Sequence, residues 1–157
     1  MENEKNLKTL KELVEARKCR KGRPDGTSAE GGYWLAIEPI LLGERRHDGY
    51  DGPYWEKHYL HLRHHRNGAV RVVVVERGEG HQFGGWKEWA YESASLDHLA
   101  EARSVEEVEA CLLAGVDTGG GMVAIRWQCA PGLYAALQGL GLPAALDGPD
   151  SEDAACS

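Results

Sequence analysis

The dipeptide Asn67-Gly68, set between two runs rich in β-branched and aromatic residues, narrows the possible architectures of this chain more than any other motif. Asn-Gly is the preferred pair for a two-residue type I′ hairpin turn, because both central residues need positive φ. Residues 54–66 and 69–77 flank it, and Val72-Val73-Val74-Val75 is a β-branched run that calls for a strand partner. A two-residue turn also sets the register. Leu62 then faces Val73 and Leu60 faces Val75 on a core side. On the opposite side Tyr59, His61, Arg63 and His65 lie across from Glu76, Val74, Val72 and Val70. A helical reading competes, since Trp55, Tyr59 and Leu62 also recur at helical spacing and Pro53 suits a first helical turn.

Other elements are expected around this hairpin. Leu7, Leu10, Leu13 and Val14 make one apolar stripe of a helix over residues 5–18, which ends in the basic run Arg17 to Arg23. Tyr33 to Leu42 reads as a strand with an edge or bulge at Pro39. Residues 43–53 and 78–85 read as loops, and residues 86–93 as a third antiparallel strand with Trp89 and Tyr91 on one face. A short helix is expected over 95–102. Ser104-Val105-Glu106-Glu107 matches a capping box and opens a helix through Ala114, with Val105, Val108, Leu112 and Leu113 as its buried stripe. A glycine loop at 117–121, a strand over 122–129 and a closing helix over 133–140 complete the pattern. The expected fold is α+β: an antiparallel sheet of four to five strands, with N-terminal, central and C-terminal helices packed mainly on one face. Residues 1–142 form one domain in this reading, and residues 143–157 an acidic, disordered tail.

No run approaches the roughly 18 apolar residues of a membrane span, and the polar N-terminus is not followed by an apolar segment, which argues against a secretory leader. Four cysteines without a Cys-x-x-Cys pair fit reduced thiols better than a disulfide framework or a zinc ribbon, and the expected location is cytoplasmic. Cys111 and Cys129 are expected in the core.

The net charge of −7 is unevenly spread. Residues 79–117 hold nine acidic and two basic groups, whereas residues 44–77 hold seven basic groups, five acidic groups and five of the seven histidines. Glu101, Glu106, Glu107 and Glu109, with Trp86 beside them, are the expected contact set for a larger protein partner with a basic surface. A rival set, Tyr59, His61, Arg63, His65 and Arg66 with Arg17, Lys18, Arg20 and Lys21, would suit nucleic acid or a partner, mixing aromatic and cationic groups. The acidic balance speaks against nucleic acid, since such domains are usually basic.

The histidines His58, His61, His64 and His65 raise the question of a metal-dependent enzyme. On a strand, neighbouring side chains point to opposite faces and residues four apart lie roughly 13 Å apart, so His61 and His65 cannot share an ion; on a helix they could. Neither a Gly-Lys-Ser/Thr loop nor a Gly-x-Ser-x-Gly elbow occurs, and Cys19 among its basic neighbours lacks a positioned base. The expectation is therefore no catalytic residue, no metal and no cofactor. The expected function is a small non-enzymatic protein that docks on a larger protein, of the accessory, immunity or inhibitor type, such as a phage or mobile-element inhibitor of a nucleic-acid-handling host system. A nucleic-acid-binding module and a metal-dependent enzyme are the alternatives.

Overall fold

A computed structural model describes residues 7–17, 32–114, 116–117, 122–123 and 131–145. Its elements are α1 (Leu10–Glu15), β1 (Tyr33–Leu35), β2 (Ile40–Gly49), β3 (Gly52–His65), β4 (Val70–Gln82) and β5 (Gly85–Ser95). A 3-10 turn (Asp97–Glu101), α2 (Val105–Leu113), β6 (Val116–Asp117), β7 (Met122–Val123) and α3 (Pro131–Leu140) follow. The fold is α+β. Strands β1 to β5 form an antiparallel sheet in the order β1-β3-β4-β5, with β2 paired to β3 on the same edge as β1. Strands β6 and β7 form a separate two-stranded ribbon. Among the described residues no helix is long and apolar enough to cross a membrane.

The hairpin around Asn67-Gly68 is present, but its turn differs from the expected one. Gly68 N–H donates to His65 O and His65 N–H donates to Ala69 O, so Arg66, Asn67 and Gly68 form a three-residue loop. Gly68 has φ +93° whereas Asn67 has negative φ, which is a type I turn followed by a left-handed bulge residue and not a type I′ turn. The extra residue shifts the register by one. Leu60 pairs with Val74, Leu62 with Val72, His61 with Val73 and His58 with Glu76. The type I′ geometry occurs instead at Phe83-Gly84, where φ is 53° and 81°, in a stretch expected to be loop. Strand β4 runs on to Gln82, and β2 likewise extends to a two-residue turn at Tyr50-Asp51. Residues 44–48 of β2 are charged or histidine and mostly exposed, while in β4 Gly78 and Gly80 lie close against Trp89 and Tyr54; composition alone reads both patterns as loop. Pro39 divides the expected strand over 33–42 in two: β1 pairs with the end of β3, and β2 with its beginning.

Side chains alternate across each strand, and Leu60, Leu62, Val72, Val74 and Ala94 meet one core. That core also takes Leu10 and Val14 from α1, Val105, Val108 and Leu112 from α2, and Leu133, Leu137 and Leu140 from α3. Each such buried side chain contributes roughly 1.5–3 kcal/mol. Leu113, expected in the buried stripe of α2, is 60% exposed. Thr9 and Glu12 form a capping box on α1; on α2 Ser104 Oγ accepts from Glu107 N–H, but the Glu107 carboxylate accepts from Arg103 N–H and not from Ser104, so the expected box is only half formed. His64, buried, lies with Nε2 2.5 Å from Val14 O and ties α1 to β3. Asp97 Oδ1 accepts from Val72 N–H and Oδ2 from Arg71 Nε–H, which fixes the 3-10 turn against β4.

The helices therefore pair with the Leu60–His64 end of the sheet. Strand β3 is about 45 Å long at the usual rise per residue, and its other end continues past this core. The Tyr50-Asp51 and Phe83-Gly84 turns close that far end together, with Gly84 N–H donating to Asp51 Oδ2 at 3.1 Å.

Candidate functional site

Two surfaces of the far half-sheet hold chemistry. On the face continuous with the core, Glu56 and His58 stand two residues apart on β3, and Glu76 lies directly opposite His58 on β4. His58 Nε2 is 3.2 Å from Glu56 Oε2 and 3.8 Å from Glu76 Oε1. One ligand atom from each of the three lies within 4.8 Å of the others, a grouping that could hold a metal ion; it is found once among the described residues. His58 is buried and both carboxylates are largely so, with 22% and 14% of their side chains exposed.

Outer donors hold the two carboxylates. His47 Nε2 is 2.6 Å from Glu56 Oε1. Trp89 Nε1–H donates to Glu76 Oε2 at 3.0 Å, and the Tyr91 hydroxyl donates to Glu76 Oε1 at 2.7 Å. Trp89 reaches Glu76 by lying across β4 at Gly78, where a Cβ would sit 2.1 Å from the indole Cζ2. Tyr54 stacks on His47 and meets Trp89 edge-on. The bond to Glu76, with burial and then the charges of Glu76 and Glu56 behind it, pushes the Tyr91 phenol up to about 12.

The opposite face carries an open groove of about 490 Å³ lined by Trp55, Lys57, Tyr59, Arg77, Glu79 and Glu88, among others. Lys57 is directly across from Arg77, and Glu79 directly across from Glu88. Trp86 stands two residues beyond Glu88 towards the far end, 52% exposed and edge-on to His81. Beyond it lie Phe83, 87% exposed, and Tyr50, fully exposed.

The residues expected to act are dispersed. Glu101 and Glu106 are exposed, but Glu107 caps α2, accepting from Arg103 N–H at 2.7 Å, and Glu109 accepts from the Tyr134 hydroxyl at 3.0 Å. Trp86 and Ser95 are at opposite ends of β5, roughly 30 Å apart, so Trp86 and the acidic helix α2 do not share a patch. In the expected cationic row, His61 and Arg63 are buried, Tyr59 and His65 are half-buried, and Arg66 is exposed. Arg63 pairs with Glu92 and covers the Tyr33 ring at 4.1 Å. Arg17 is half-buried, 3.4 Å from Gly139 O. Lys18, Arg20 and Lys21 lie outside the described residues, as do Cys19, Cys129, most of the strand expected over 122–129 and residues 146–157 of the expected tail.

The histidines alternate along β3 as a strand requires, His58 and His64 on the core side and His61 and His65 on the other. The residues missed from sequence are Glu56 and Glu76. Glu56-x-His58 carries the signal of a shared strand face, but the two-residue turn put Glu76 on the other side. No family model, curated protein or solved structure matches this chain.

Proposed function

We propose that this chain is a non-enzymatic docking protein, of the accessory, immunity or inhibitor type, that binds a larger protein through the far end of its sheet. The observation that carries the reading is Phe83. It holds φ 53° with its ring 87% exposed. A left-handed conformation costs a non-glycine residue roughly 1–2 kcal/mol, and no burial of the ring offsets it. Asparagine would suit the turn better. Strained residues cluster where function holds them, and a bare aromatic ring is what a partner's pocket can take up. Tyr50 and Trp86, both exposed near it, extend the apolar surface.

The groove beside these rings favours protein over nucleic acid. Like charges directly opposite each other weaken strand pairing, yet a basic pair, Lys57 with Arg77, stands next to an acidic pair, Glu79 with Glu88. A protein surface of matching mixed charge relieves both pairs; a phosphate backbone relieves only the first. A reducing, cytoplasmic setting agrees with the scattered cysteines and the free thiol of Cys111.

The test is quantitative affinity capture with the wild type and with Phe83→Asn combined with Tyr50→Ser. The double variant is expected to fold, to unfold at a temperature no lower than the wild type, and to lose the partner that the wild type enriches. Equal recovery of the same proteins by both would overturn the reading. Recovery of nucleic acid that falls steeply with salt would replace it with the alternative.

A further inference from the structure

We propose that Glu56, His58 and Glu76 form a binding site for a divalent first-row transition cation, on the face of the sheet opposite the docking groove. The three donor atoms converge: His58 Nε2 is 3.2 Å from Glu56 Oε2 and 3.8 Å from Glu76 Oε1. Metal–nitrogen and metal–oxygen bonds of about 2.0–2.1 Å in a tetrahedral set require donors about 3.3 Å apart. The two contacts to the imidazole bracket that value. The two carboxylate oxygens lie within 4.8 Å of each other, so binding of an ion draws them closer together.

Charge points the same way. Two carboxylates drawn together in a mostly buried position repel unless positive charge stands between them, which His47 and His58 supply only when protonated and a bound cation supplies at any pH at which it binds. The neighbouring Lys57 and Arg77 lie on the other face by strand alternation, where they line the groove. Arg45, across from Glu56 on β2, is exposed. A divalent ion at the meeting point of the three donors neutralises both carboxylates and takes the lone pair of His58 Nε2.

The surroundings are those of an oriented ligand set. His47, Trp89 and Tyr91 each hydrogen-bond a carboxylate oxygen. Outer-shell donors of this kind fix ligand geometry, and their loss typically weakens a metal site about tenfold to a hundredfold. The omission of a side chain at Gly78 is what lets Trp89 cross β4 to Glu76. One imidazole with two carboxylates suits zinc or manganese better than calcium or magnesium, which favour oxygen alone. Three protein ligands leave at least one coordination position for water or a small anion.

Chelator-treated, untagged protein is titrated with Zn²⁺ by calorimetry, alongside His58→Gln, Glu76→Gln and Trp89→Phe. The wild type is expected to bind one ion per chain. The first two variants are expected to lose that binding, and Trp89→Phe to keep its stoichiometry with affinity about tenfold weaker. Should a variant fail to fold, X-ray absorption of the zinc-loaded wild type decides instead. One imidazole and otherwise oxygen in the coordination sphere supports the site, whereas sulfur or two imidazoles overturns it. No binding by folded wild type at millimolar Zn²⁺, or unchanged binding in both ligand variants, overturns it as well. Partner capture through Phe83 is read separately, so loss of one property leaves the other standing.

Discussion

Gly78→Ala tests the central packing feature of the far half-sheet. The backbone at Gly78 has no positive φ, so alanine suits the strand conformation itself. What forbids it is room: the added Cβ would lie 2.1 Å from Trp89 Cζ2 and 2.2 Å from Cε2. Flexible chain ends cannot absorb this overlap, because the contact is with the middle of a rigid indole. Trp89 must swing off β4. It then loses its bond to the Glu76 carboxylate, about 1.5–3 kcal/mol for a charged acceptor. It also loses the edge contact with Tyr54, about 0.5–1.5 kcal/mol. Removing a strand glycine returns about 0.5–1 kcal/mol. The net loss is about 2 kcal/mol, which lowers the melting temperature of a protein this size by about 4–8 °C. The decisive measurement is a double-mutant cycle by thermal or urea unfolding. In a Trp89→Ala background, where no ring lies across the strand, Gly78→Ala is expected to be neutral or stabilising. If it costs the same about 2 kcal/mol in both backgrounds, the close approach of ring and strand is not the cause and the reasoning fails.

Tyr91 should titrate near pH 12 by absorbance at 295 nm, and Glu76→Gln should return it towards the ordinary 10.0. Between those values the unfolded chain has lost the phenolic proton and the folded chain keeps it, so stability must fall as pH rises from 10 to 12; a rise there, or no change on removing the Glu76 charge, would refute the bond as cause. Ser104→Ala removes the N-cap of α2 and should cost about 1 kcal/mol in chemical unfolding. Glu107→Lys should also lower stability, through loss of the bond from Arg103 N–H, so any effect of charge reversal there on partner capture must be corrected for folding.

The hairpin, the strand at Trp86–Ser93, the capped helix after Ser104 and the α+β class were legible because each rests on local chemistry: turn residues, alternation, capping side chains. Register was not. Leu60 and Leu62 can face Val72 and Val74 or Val73 and Val75 with equal apolar gain, since residues 72–75 are all valine. Asn-Gly suits both a two-residue turn and the end of a three-residue loop. The choice between them moves Glu76 from beside Tyr59 to beside His58, and with it decides whether two carboxylates and an imidazole meet. The polar stretches at 43–53 and 78–85 misled for a related reason. Residues 44–48 of β2 are polar because they meet solvent, while Gly78 and Gly80 in β4 make room for Trp89 and Tyr54, and either pattern resembles a loop in composition.

From the sequence alone, strand pairing of residues 54–77, with histidines pointing to alternate sides, is favoured over the helical reading of Trp55, Tyr59 and Leu62, because the β-branched run at 72–75 needs a strand partner. Which residues share a face, and which end of the sheet stays uncovered, emerge only from the packed fold. Those depend on a single residue of loop length at Arg66–Gly68 and on where the helices stop, and both are set by packing summed over the whole core, not by any local preference.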